Sequence, residues 1–318
     1  MEAFITMLRS VILFVAMALP GYIFVKSKFL KEEQSAPLSK ILTHLGLPFL
    51  ILSSMLNVEL NLSFLKDVGA LIVISLVALL LAVWGTAYLV RGEEERKKQG
   101  IMRFCMVLAN NGFLGIPLAK AVFGNSVVVT YVSMLGIIFN LFMYTVGVYW
   151  VSGDKNTMNI KKAIFNPVLI AFVGGLLLNL VQVGRILPEA VEYANHFSGV
   201  VTPLSMTVLG MKLGGIQLKK LFTSPRMYYV SVWKLILLPI VALGLFFLVD
   251  LAWEVSDAIF FAGLIGFATP AASLSSAFAD QYDGDTEGAA VYTLGSTVLS
   301  VATIPVLYWL LSWILSVI

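Results

Sequence analysis

The stretch Met102–Phe123 is apolar enough to enter a bilayer, yet it holds two adjacent amides, Asn110 and Asn111, together with Gly112, Gly115 and Pro117. Pro117 cannot donate a backbone hydrogen bond, and the glycines weaken a helix. Amides and an interrupted backbone at membrane depth are costly unless they face protein or a cavity. A second stretch has the same character: Thr269-Pro270, followed by Ser273, interrupts the apolar run Ser256–Ala279. In each stretch a proline stands where a half-helix would begin, Pro117–Phe123 and Pro270–Ala279, because the first helical position needs no N–H. Each half-helix then directs free N–H groups, carrying about half a positive charge, at the membrane centre. Surrounded by Asn110, Asn111, Thr269 and Ser273, such a point is an anion site.

The acidic residues argue for the same sign. All eighteen Asp and Glu fall in loops or at span ends, with Asp257 and Asp280 nearest to a span. A cation/proton exchanger needs carboxylates at depth, whereas an organic anion is better held without them. An intramembrane lipid-modifying enzyme would need a nucleophile or metal carboxylates at depth, and the sequence offers neither. No catalytic residue, cofactor or metal site is expected. The single cysteine, Cys105, excludes an internal disulfide, and two histidines, His44 and His196, are too few for a metal centre.

These residues need helices to position them. Of 318 residues, 59% are hydrophobic and 12% are charged, against about 25% charged in soluble domains. The chain therefore reads as an all-α polytopic membrane protein. Ten spans of roughly 20 residues are predicted: Phe4–Val25, Pro37–Leu56, Val68–Val90, Ile101–Phe123, Ser126–Val151, Ala163–Val183, Tyr193–Met211, Met227–Leu251, Ser256–Ala279 and Gly288–Leu315. No signal peptide is evident. Sixteen of the 21 basic residues flank the first, third, fifth and seventh loops. The positive-inside rule places those loops in the cytoplasm and both termini outside. Pro48 pairs with Pro203, and Pro117 with Pro270, at nearly the same offset. Five spans per half is odd, so the second half enters inverted. Residues 1–151 form the first repeat, 152–162 a cytoplasmic linker and 163–318 the second repeat. The loop motifs Leu60–Leu65 and Ile216–Leu221 repeat at a similar offset. Interrupted spans at matching places in inverted repeats point to a secondary transporter.

Further polar residues divide between function and packing. Asn140, Thr293 and Ser296 either support the crossing or make ordinary interhelical hydrogen bonds. His44 is a proton-coupling group or a packing residue. Lys234, inside a span, attracts an anion or snorkels to the interface, and snorkelling is the expectation. Trp150, Trp233, Trp253, Trp309 and Trp313 read as interface anchors. The expected partners are the lipid bilayer, a small organic anion and a coupling proton or sodium ion, with no nucleic acid. A homodimer is compatible with all of this.

Asn-Asn-Gly-Phe-Leu-Gly-Ile-Pro-Leu at 110–118 resembles the signature of the auxin efflux carrier family, which includes plant auxin exporters and bacterial malate or malonate permeases. Thr-Pro-Ala-Ala-Ser-Leu-Ser-Ser-Ala-Phe-Ala at 269–279 and Ser-Thr-Val-Leu-Ser at 296–300 resemble its last two helices. The resemblance covers essentially the whole chain. It implies ten helices in two inverted five-helix repeats, with the broken fourth and ninth helices crossing at the substrate site. It implies a scaffold of helices one, two, six and seven, carboxylate substrates and elevator-type alternating access. Substrate contacts then fall on Asn110, Asn111, Gly112, Pro117, Thr269, Pro270 and Ser273. The short central loop separates this chain from the plant long-form exporters and favours a member of a bacterial inner membrane, carrying a malate-like dicarboxylate or an auxin-like monocarboxylate. A sodium-coupled bile-acid-type organic anion symporter is the alternative with the same repeat.

Overall fold

The computed structural model describes residues 8, 9, 12–56, 58–124, 126–216 and 218–317. Residues 4–7, 10 and 11 of the first predicted span and Gln217 of the repeated loop motif lie outside the described residues. The described chain is helical. We number its main elements α1 (Ile12–Lys26), α2 (Glu32–Leu56), α3 (Leu62–Leu89), α4 (Arg96–Val107), α5 (Asn111–Phe123), α6 (Val127–Ser152), α7 (Pro167–Leu180), α8 (Pro188–Ser198), α9 (Val201–Gly215), α10 (Pro225–Trp253), α11 (Asp257–Ala268), α12 (Ser275–Gln281) and α13 (Thr286–Val317).

Among the described residues, six helical stretches are long and apolar enough to cross a membrane: α2, α3, α6, Lys155–Leu180 with α7 at its end, α10 and α13. Of the other four predicted spans, the first is described from Ile12 onward as α1, and the other three are interrupted. The fourth is α4 and α5 separated by Leu108–Asn110. The seventh is α8 and α9 with a turn at Gly199-Val200, and the ninth is α11 and α12 separated by Thr269–Leu274. The third span starts at Leu62, earlier than Val68, because Asn61 caps it: its side chain accepts from the Phe64 N–H at 2.8 Å.

Two sets of helices pack together. In one, α1 lies along α9, and α2 lies between α7 and α8. Gly21 of α1 and Gly210 of α9 bring the two backbones into contact, since a Cβ on either would overlap the other helix's main chain. In the other set, α6 packs on α5 and α11, while α10 packs on α3, α11 and α13. The buried core runs through both sets and is densest around α4, α6 and α11.

Candidate functional site

The two interrupted spans meet at their breaks. Past Val107, Leu108 turns extended and Ala109 forms an antiparallel bridge with Ala271. The Asn110 N–H donates to the Pro270 carbonyl at 2.9 Å, and the Ala272 N–H donates to the Leu108 carbonyl at 3.0 Å. Leu108, Thr269 and Ala271 are fully buried. A broken backbone in an apolar interior leaves polar groups that must find partners. Here each break supplies partners for the other.

The breaks differ on their C-terminal sides. α5 starts at Asn111, six residues before the expected Pro117, with a wide turn over Asn111–Gly115. The Leu114 and Gly115 N–H groups both donate to the Asn110 carbonyl at 3.1 Å, and the Ile116 N–H reaches back to the Asn111 carbonyl. Pro117 therefore sits inside the helix, where its ring would clash with an ordinary α-turn; the five-residue turn makes room for it. The first N–H groups of α5, at Asn111, Gly112 and Phe113, have no helical partner by geometry. Pro270, in contrast, starts no helix. It lies in the non-helical segment Thr269–Leu274, which is extended at Thr269, bridges at Ala271 and turns at Ser273-Leu274, and α12 begins only at Ser275.

Side chains reinforce the crossing. Thr269 Oγ1 donates to Asn111 Oδ1 at 3.1 Å, and Ser273 Oγ donates to Asn110 Oδ1 at 3.2 Å. Each asparagine oxygen is thus occupied from across the crossing. Asn111 is 2% exposed, and its Nδ2 has no hydrogen-bond partner among the described residues. A buried amide with two unused donors is costly unless something accepts from it. Gly115 permits this arrangement: a Cβ there would lie 2.8 Å from Asn111 Oδ1 and 3.2 Å from Thr269 Cγ2. Asn110, Asn111, Gly112, Asn140 and Ser273 line a cavity of about 70 Å³. Phe139 forms part of its wall, and Thr43, Leu47 and Val168 close it from α2 and α7.

The supporting candidates separate. Asn140 lines the cavity. Ser296 stands behind the ninth break, accepting from the Ala271 N–H at 3.2 Å and donating to the Thr293 carbonyl at 3.0 Å. Thr293 Oγ1 is 2.7 Å from Ser275 Oγ and 4.0 Å from the buried Cys105 sulfur. His44 is away from the crossing: it is exposed, with Nδ1 3.0 Å from the Lys40 carbonyl.

Lys234 corrects an expectation. It does not snorkel but is fully buried, donating to the Phe267 carbonyl at 3.0 Å near the end of α11. The last carbonyls of a helix lack intrahelical donors and carry partial negative charge, so they attract the ammonium inward. Trp150 is likewise buried rather than anchored at a surface, with the Arg103 guanidinium 4.4 Å from its ring centroid.

Asp67, which the residue pattern places in a loop, is a buried group. It is 2% exposed, and its carboxylate accepts from Tyr131 Oη at 2.8 Å, from the Ser256 N–H at 3.0 Å and from Ser256 Oγ. These donors tie α3 to α6 and to the residue before α11, whose positive end favours a carboxylate. The sequence signal for it is Asn61: a cap there starts the helix at Leu62 and places Asp67 on the inward face with Phe64 and Leu71.

Crossed breaks in a bundle of apolar helices, with polar side chains gathered at the crossing, define a membrane transport protein. The family model described as "Membrane transport protein" matches residues 5–156 and again residues 154–308, and the chain belongs to that family. The motifs at 110–118 and 269–279 indicate the same affiliation. An uncharacterized transporter of Methanothermobacter thermautotrophicus is 27% identical over 310 residues, covering 93% of this chain and 96% of that protein. An uncharacterized transporter of Methanocaldococcus jannaschii is 23% identical over 308 residues, covering 95% and 97%.

Proposed function

We propose that the chain is a secondary transporter that carries a small organic carboxylate by alternating access, with the anion held at the start of α5. The observation that carries this is the unpartnered Asn111 amide, buried at a helix N-terminus beside a cavity. A carboxylate offers the acceptor oxygens that the amide and the N–H groups of Gly112 and Phe113 lack. Asn110, Asn140 and Ser273 complete the polar lining, and Thr269 holds Asn111 in place. The α1, α2, α7, α8 and α9 set serves as the scaffold. The set bearing the crossing moves past it in an elevator step, with the two halves related as inverted repeats. The basic loops face the cytoplasm, and both termini lie outside. The polar lining suits two substrates, a malate-like dianion and an auxin-like monoanion.

Counterflow of labelled malate and labelled indole-3-acetate in proteoliposomes tests this. Wild-type protein should exchange one of them chemically unchanged. Asn111→Ala should abolish exchange while leaving the amount of protein in the membrane unaltered. Exchange by Asn111→Ala at the wild-type rate would remove Asn111 from the site.

A further inference from the structure

Residues 153–166 join α6 to α7, and so link the set that bears the crossing to the set around α2. The chain leaves the cavity wall after Tyr144 and returns to it at Asn166 and Val168. A hydrogen bond also fastens this linker to the wall. Tyr144 stands on the wide turn Met143–Gly147 of α6, where the Val148 N–H reaches the Met143 and Thr145 carbonyls. An ordinary α-turn would give that N–H to the Tyr144 carbonyl. The Tyr144 carbonyl accepts instead from the Asn159 N–H of the linker, at 3.0 Å. The Tyr144 ring packs edge-on against Phe278 of α12, with 5.6 Å between centroids.

The outward side of the linker has a different chemistry. Ile160–Ile164 is a five-residue helix capped by Asn159, whose side chain accepts from the Lys162 N–H at 3.0 Å. Ile160 and Ile164, one turn apart, share a face, and Lys162 lies opposite. Ile160 is 56% exposed, Ile164 51% and Phe165 71%. Lys155, Lys161 and Lys162 are exposed, and none has an acidic partner among the described residues. Asp154, the one acidic residue of the linker, accepts from the Asn156 N–H. The linker sits between α6 and α7, both parts of membrane-crossing stretches, which places it at headgroup level. Exposed apolar residues beside unpaired lysines at that level match an anionic lipid surface: acyl chains receive the isoleucines and the phenylalanine, and phosphates receive the ammonium groups.

We propose that the linker is a docking surface for anionic phospholipid headgroups, and that its docking holds Tyr144 at the cavity wall. The docking stands by itself; the hold on the cavity rests on the anion-transport reading above. A docked linker keeps the Asn159 N–H on the Tyr144 carbonyl. When the linker lifts away, that carbonyl loses its donor and the wide turn closes, the Val148 N–H taking it back. Closure turns Tyr144 off the wall and loosens the cavity around the anion.

The full-length protein is reconstituted in neutral vesicles of phosphatidylcholine and in anionic vesicles of equimolar phosphatidylcholine and phosphatidylglycerol. Phe165→Cys carries a polarity-sensitive apolar fluorophore; Cys105 is fully buried, and wild type treated alike gives the blank. Emission should shift to the blue in anionic vesicles only, and high salt should reverse the shift. Adding Lys155→Gln, Lys161→Gln and Lys162→Gln should weaken docking about a hundredfold, at about fivefold per lysine, and lose the shift. Emission that is the same in both vesicles, or a shift that the triple substitution keeps, overturns the docking. The KM for the carried anion is then compared between wild type and the triple variant without the label. Vesicle charge repels a carboxylate from both proteins alike, so the ratio of their KM values is the measure. The variant's KM should exceed that of wild type about fivefold in anionic vesicles, the worth of one hydrogen bond, and should equal it in neutral ones. A ratio that is the same in both vesicles would make the linker an anchor without a hold on Tyr144, and overturns the coupling. A wild-type protein that carries neither malate nor indole-3-acetate overturns the transport reading and the coupling with it, while the emission still decides the docking.

Discussion

The two breaks use similar sequence to different ends. At Leu108–Asn110 the chain passes directly into a helix that runs to Phe123, and its first turn holds Asn111 and Gly112 against the cavity. At Thr269–Leu274 the chain stays non-helical and closes with a turn at Ser273-Leu274 before a seven-residue helix. The first break presents donors. The second presents the Pro270 carbonyl, the Ala272 N–H and two hydroxyls that hold the first in shape. Matched prolines therefore need not imply matched half-helices; on the proposed function, binding falls to the first break and bracing to the second.

The largest separation between the breaks should come from Gly115→Ala. The added methyl displaces the Asn111 oxygen from Thr269 without touching the second break's backbone. Uptake should fall at least about tenfold, the scale expected when positioning at a site is lost, while the membrane-inserted amount and thermal midpoint stay near wild type. Uptake that survives would show that Asn111 orientation is not what the first break provides.

The prolines should differ next. Pro117→Ala restores an N–H inside α5 and lets the wide turn close to an α-turn, relieving a strain of up to about 3 kcal/mol. The thermal midpoint should rise and uptake should drop, because Asn111 rotates off the cavity. Pro270→Ala removes no contact made by its carbonyl and should leave uptake within about threefold, a change of under 1 kcal/mol. Equal losses from both substitutions would restore the symmetric picture.

The smallest effects sharpen the division. Thr269→Val removes one hydrogen bond to Asn111 and should raise the KM about fivefold, equivalent to about 1 kcal/mol. Ser296→Ala leaves the buried Ala271 N–H unpaired and should lower stability by about 1–3 kcal/mol. Thermal unfolding should detect that loss, while the KM stays unchanged. A KM change in Ser296→Ala would move the second break from bracing to binding.

Much of this is legible in the residues alone. Asn110 through Pro117 stand out because amides, glycines and a proline are costly in an apolar span, and that cost does not depend on the fold. The start of α5 does not stand out. Proline is common at the first helical position, whereas a wide turn that admits proline inside a helix leaves no mark in residue type. Lys234 is misplaced for a different reason: its acceptor at Phe267 belongs to another helix, and one span's composition says nothing of its neighbour's carbonyls. Asp67 is half-visible, since the Asn61 cap is readable but its donors at Tyr131 and Ser256 are not.

The bridge at the crossing also has a history. Asn110 and Ser273, which meet there, are 163 residues apart in the chain. A ribosome adding about 5–20 residues per second takes roughly 8–30 s to cover that interval. Throughout it the nascent first half holds Leu108 to Asn110 in the membrane without the backbone that will later complete them. That segment must be sheltered during biosynthesis, by the insertion machinery or by trapped water, until residues 270–272 arrive. The fourth span is thus made early and completed late, and its maturation belongs to the end of synthesis.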